Sequence, residues 1–172
     1  MKKKSEPIAL SHEYKQEIFK LSEEILLDYQ NDGNQVYLIT SATKREGVST
    51  IAKYTSLTIE EKSSLSCTTY TPPLNLEITN ATSSEESHIA ELCSNYNIVI
   101  IEISDIEHSP VAMKYFHLID KAIIIIKKGG PSQKEVAKVN EYLSRHNIRL
   151  LGVVLNQYKP KIPTFLLKIF GV

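Results

Sequence analysis

Between Ser41 and Thr50 the chain reads SATKREGVST, a run of hydroxyls and cations around one glycine, the residue types that hold phosphate. A phosphate-binding loop is spaced GxxxxGK[ST]. Its glycines let backbone N–H groups close on the phosphates, its lysine neutralises them, and its last hydroxyl holds Mg²⁺. Here the second glycine is Gly47, and Ser49 and Thr50 stand where metal and phosphate ligands belong. The lysine position holds Val48. By spacing alone the simpler reading is a strand-to-helix turn. A second group, Glu102, Asp105 and Glu107, gathers beyond a strand end and reads as a metal site or, more plainly, as a solvated acidic loop. The five histidines (His12, His88, His108, His117, His146) have no metal-ligand spacing. Cys67 and Cys93 lack CxxC spacing, so neither a disulfide framework nor a zinc site is expected, and a reducing cytoplasm is the simplest compartment.

The elements around these residues follow from apolar periodicity. Leu10, Tyr14, Ile18, Leu21 and Ile25 recur every three or four positions, which predicts a helix over Ser11–Tyr29 with Ser11 as N-cap, stopped by Asn31-Asp32-Gly33-Asn34. Val36–Thr40 is a short buried strand leading into the SATKREGVST loop, and a helix is expected from Ser49 to about Lys62. Leu65–Tyr70 is a weak strand, and Ser83 with Glu86 forms a capping box for a helix to about Ser94. Asn97–Ile103 and Ala122–Ile126 are near-continuous apolar runs, as expected of strands covered on both faces. Pro110 opens a helix over Ser109–Leu118, Ser132 and Glu135 cap another to about His146, and Leu150–Leu155 is a last buried strand. Strands alternating with helices predict one α/β domain spanning residues 1–172, a three-layer sandwich with a mainly parallel sheet flanked by helices.

Composition fits that reading. The chain has 172 residues, 42% hydrophobic and 23% charged, and no apolar run approaches a membrane span. The zero net charge hides a split. Residues 57–120 carry two basic and ten acidic side chains, whereas 121–172 carry ten basic and two acidic. This suggests contact with a charged neighbour or pairing within the fold. Without clustered arginine and interleaved aromatics, nucleic acid is not an expected partner. The segment 159–172 is basic and apolar, with Lys159, Lys161 and Lys168 among Phe165, Leu166, Leu167, Ile169 and Phe170. Such a segment suits a partner's groove, a membrane surface or the chain's own sheet.

ITSATKREGVSTIAKY resembles the ITSAxPGEGKST stretch of the bacterial tyrosine kinases, MinD/ParA-related P-loop proteins of capsule and exopolysaccharide export. EYKQEIFKL resembles their EAYRxLR helix, YNIVIIEISD their YDYVIIDTPP strand, DKAIIIIKKGGPSQKEV their DGVLLVVRAGxTSxxxL block, and LLGVVLNQY their VLGVVLNxV block. The blocks keep the family's order and cover most of residues 12–158. The resemblance implies a P-loop NTPase-like fold and a nucleotide site in which Lys44, Glu46, Gly47, Ser49, Thr50 and Asn156 would take part. Asn156 matches an asparagine that contacts the adenine base, and Ser49 and Glu102 would hold Mg²⁺ if it were bound.

Five departures cut against catalysis. Val48 replaces the lysine, and Arg45 stands at a family glycine, where its side chain is expected to crowd the loop. LSCTTYTPP stands near the place of the acidic LLIDADxR strand without an acid, and Glu102 follows where the VIID strand has aspartate. The tail lacks the family's tyrosine cluster, leaving Tyr158 alone before it. On the N-terminal helix, Lys15 keeps one basic ring-assembly position, but His12 and Ile18 fall at the other two, which leaves a homo-oligomer open. The expectation is a degenerate, pseudokinase-like relative with no cofactor, ATP or ADP with Mg²⁺ being the lesser alternative. It implies a cytoplasmic adaptor docked on an inner-membrane polysaccharide co-polymerase. The alternatives are a divergent kinase or ATPase using Lys44 and Glu102, and a MinD/ParA-like positioning protein whose tail touches membrane.

Overall fold

The computed structural model describes residues 12–73 and 82–156. Helix α1 (His12–Asp32) buries Ile18, Leu21 and Ile25 along one face. It ends at Gly33, whose φ of +72° is the left-handed geometry that terminates helices, with its N–H on the Tyr29 carbonyl at 3.0 Å. The Ser11 cap lies outside the described residues. Then follow β1 (Val36–Ser41), α2 (Val48–Lys62), β2 (Cys67–Tyr70), α3 (Thr82–Asn95), β3 (Ile98–Ile103), α4 (Ala112–Tyr115), β4 (Lys121–Lys127), α5 (Gln133–Arg145) and β5 (Arg149–Asn156).

All five strands are parallel, in the order β2-β3-β1-β4-β5, so the first strand in chain order is central. Val36 registers with Val99 on one side of β1, and Tyr37 with Lys121 on the other. Alternate residues feed two cores. Leu38, Ile101 and Ile124 pack with α3, α4 and α5, while Ile39, Ile100 and Ile123 pack with α1 and α2. This is the three-layer α/β fold that the apolar runs predicted, with one correction: β5, expected to be buried, is largely exposed, because it lies at the edge of the described sheet and has a neighbour on one side only.

The Ser132 capping box forms as predicted, with the hydroxyl accepting from the Glu135 N–H and the Glu135 carboxylate accepting from the Ser132 N–H. α3 starts at Thr82, one residue before Ser83, whose side chain lies outside the described residues. The helix expected over Ser109–Leu118 is broken. Two short 3₁₀ turns (Ile106–His108 and Phe116–Leu118) flank the four-residue α4. The bonds Ala112 N–H to Ser109 O and Lys114 N–H to Val111 O reach back only three residues, which tightens the backbone as it seats Val111, Ala112, Tyr115 and Phe116 in the core.

A polar network fastens the opposite end of the sheet. Lys121, at the start of β4, bridges Asp28 and Asp32 of α1. Asp28 also accepts from Tyr37 Oη at 2.8 Å and Asn34 Nδ2 at 2.9 Å. Burial pushes the Asp28 carboxyl up, but the bonds from Lys121, Asn34 and Tyr37 outweigh it and hold the group below its ordinary value. Among the described residues no helix is long and apolar enough to cross a membrane.

Candidate functional site

In a parallel α/β sheet, ligands bind beyond the carboxyl ends of the strands. The central β1 ends there at Ser41, and the chain crosses to α2 through the loop that carries most of the candidate residues. Two of its residues take left-handed backbone, Arg45 at φ +66° and Gly47 at φ +98°. Arg45 was expected to crowd the loop from a glycine position. The structure corrects this: the backbone keeps the glycine-like geometry, and the side chain leaves into solvent. Holding arginine left-handed costs about 1 kcal/mol. Arg45→Gly is therefore expected to raise stability by about 1 kcal/mol in urea unfolding, and a loss of stability would show that the guanidinium holds the loop.

Glu46 turns inward and is only 2% exposed. Its carboxylate accepts from the Thr43 hydroxyl and from the N–H of Lys127, at the end of β4. Gly130 makes room for it, since a Cβ there would lie 2.9 Å from Glu46 Oε1 and 2.7 Å from the Lys127 carbonyl. From β5, Asn156 Nδ2 donates to the Glu46 carbonyl at 2.6 Å, and a Cβ on Gly47 would overlap that amide. Glu46, Gly47 and Asn156 thus form one latch that ties the loop to β4 and β5. The sequence marked all three residues but not this use of them. Gly129-Gly130 read only as a turn, and nothing local shows that a buried carboxylate requires the second glycine.

Val48 opens α2 with its side chain 2% exposed, packed into the core shared with Ile39 and Ile51. No side chain caps this end of α2, and no acidic residue lies in its first turn. Ser49 is exposed and Thr50 half-buried in that turn, and Lys44 is exposed in the loop. On the neighbouring strand, Glu102 Oε1 accepts from the Thr71 hydroxyl, whereas Oε2 is buried without a hydrogen-bond partner. Asp105 turns away to His108 Nδ1 at 2.7 Å, and that bond raises the pKa of the exposed imidazole. The Asp105 N–H meets Ser41 Oγ at 3.3 Å. Among the described residues no three His, Cys, Asp or Glu side chains converge on a metal-sized site.

Nucleotide with Mg²⁺, which this type of fold suggests, can be tested against that donor set. A triphosphate needs a cation over the loop, a carboxylate free for the metal and a polar group free for the base. The structure offers an aliphatic side chain in the core, a carboxylate whose Oε1 is engaged by Thr71 while Oε2 has no partner, and an asparagine amide engaged by the Glu46 carbonyl. Like Glu102 Oε2, Asn156 Oδ1 is buried and unpartnered. With Val48 in the core, the lysine position does not fit the phosphates of a nucleotide.

No family model matches the sequence, and no curated protein matches it. Solved structures do. The kinase domain of Escherichia coli tyrosine kinase ETK superposes with a TM-score of 0.74 at 12% identity, over 86% of this chain and 77% of that one. The chimerical protein CapA2B2 gives 0.68 at 18% identity, over 90% and 88%. The VpsO kinase domain gives 0.68 at 14%, over 83% and 94%. At such identities the likeness concerns architecture, and the chain has the fold of bacterial tyrosine kinase domains.

Proposed function

We propose that this chain is a non-catalytic adaptor or regulator of bacterial exopolysaccharide and capsule export, docked on the cytoplasmic side of an inner-membrane polysaccharide co-polymerase. The observation that carries the loss of chemistry is Val48, an isopropyl group buried in the core where the loop pattern calls for lysine. Phosphoryl transfer depends on positioning and charge stabilisation, and an aliphatic group at that position supplies no charge. Support for the pathway comes from the sequence blocks and from the fold shared with tyrosine kinase domains. The Glu46–Asn156 latch fits the same reading, because it gives the loop a fixed shape from the chain's own groups.

Calorimetric titration of the purified chain with ATP and with ADP, in Mg²⁺, tests the proposal. The expected result is no heat of binding up to millimolar nucleotide. Micromolar binding that disappears in Lys44→Ala would overturn it in favour of a divergent ATPase or kinase in which Lys44 takes the missing charge.

A further inference from the structure

β5 is an outer edge of the sheet. Leu151–Leu155 and the Glu17–Glu24 stretch of α1 line a groove of about 410 Å³. Val153 and Leu155 are 46% and 55% exposed there. Its outer side pairs with no described strand, and apart from the exposed Arg149 at its start its residues are aliphatic, glycine or asparagine; such an edge is a template for pairing, and soluble proteins cover such edges.

We propose that the groove is the docking site of the chain's own segment 157–172. The segment begins at the residue after β5 ends, so its anchor is already at one end of the groove. Sixteen residues reach roughly 50 Å, about twice the ~26 Å length of the eight-residue strand, enough to turn and run back along it. Pro160 and Pro163 favour extended or turn backbone in the first half. The second half carries Phe165, Leu166, Leu167, Ile169 and Phe170, which match the aliphatic floor. Charge agrees as well. The segment has three lysines and no acidic residue, and the α1 rim presents the exposed carboxylates Glu17 and Glu24. Lys20, the cation on that rim, is held by Glu17 at 2.8 Å. Docked in this way, the segment closes the edge of the sheet to other chains.

Zero-length carbodiimide cross-linking of the full chain, read by peptide mass spectrometry, tests this. The expected product joins Lys159, Lys161 or Lys168 to Glu17 or Glu24 in the monomer band. Its yield should fall several-fold in the double variant Val153→Ser/Leu155→Ser, whose changes are at exposed positions and spare the core. Links found only in a dimer band would assign the groove to a second copy and overturn the proposal. It fails equally if the monomer shows no such link, or if the segment binds anionic phosphatidylglycerol vesicles while the β5 groove variant leaves its cross-linking unchanged.

Discussion

Gly47→Ala is expected to destabilise the protein by about 3 kcal/mol. A Cβ at φ +98° costs about 1–2 kcal/mol in backbone strain alone. It would also overlap the Asn156 amide and break its bond to the Glu46 carbonyl, leaving buried polar groups unpaired at a further cost of about 1–3 kcal/mol. For a chain of this size that corresponds to a melting-temperature drop of roughly 6–12 °C, measurable by calorimetry or circular dichroism. Asn156→Ala removes the overlap but not the strain. The double variant should therefore be less destabilised than the sum of its parts, with a coupling of at least about 0.5 kcal/mol. Strict additivity would mean that the loop gives way without involving β5, and that the latch does not act as a unit.

Lys121→Met should have a similar effect at the other end of the sheet, a loss of about 3 kcal/mol at neutral pH. The lysine shares its charge between Asp28 and Asp32, and removing one partner of a buried pair leaves an uncompensated carboxylate beneath the sheet. The pH dependence fixes the cause. In the native protein the Asp28 carboxyl is held below its ordinary value of 3.8, so its contribution is present above that value and is lost as pH falls. Without Lys121 its bond and its charge no longer lower the carboxyl, which moves up from its native position, so the stability it contributes while ionised shrinks. The stability gap between the two proteins is therefore widest above about pH 5 and narrows as the solution is acidified through the carboxylate range. Urea denaturation at a series of pH values measures it, and a gap independent of pH would assign the loss to the packing of the lysine stem.

The strands were legible in the sequence because burial on both faces leaves a continuous apolar signature. Ile98–Ile101 and Ala122–Ile125 have no other economical reading, and both are fully buried in the sheet. The Ser132 cap was legible because both its partners lie within one helical turn. What escaped depends on register between distant segments. Asp28 and Lys121 lie ninety-three positions apart, and only their places beside the first residues of β1 and β4 bring them together. Glu46 has the composition of a loop residue, but its carboxylate becomes a strut because Lys127 ends the adjacent strand and Gly130 leaves space. The break in the helix expected after Pro110 escaped as well. Val111, Ala112, Tyr115 and Phe116 are buried at ordinary helical spacing, so their pattern carries no sign of the break. Local pattern thus showed which segments line the candidate site, while the contacts that shape it came from the closing of the sheet.

The strand order has a consequence for the birth of the protein. β1 comes first in chain order among the five strands of the sheet, yet both its neighbours come later: β3 ends at Ile103 and β4 at Lys127. Between the emergence of Ser41 and of Lys127, an interval of roughly 4–17 s at bacterial translation speeds of about 5–20 residues per second, the most apolar stretch of the N-terminal half has no complete sheet to join. A nascent chain presents VYLITS as an uncovered edge on both sides until β3 ends at Ile103 and on one side until β4 ends at Lys127, the kind of segment that holdase chaperones at the ribosome exit would meet first.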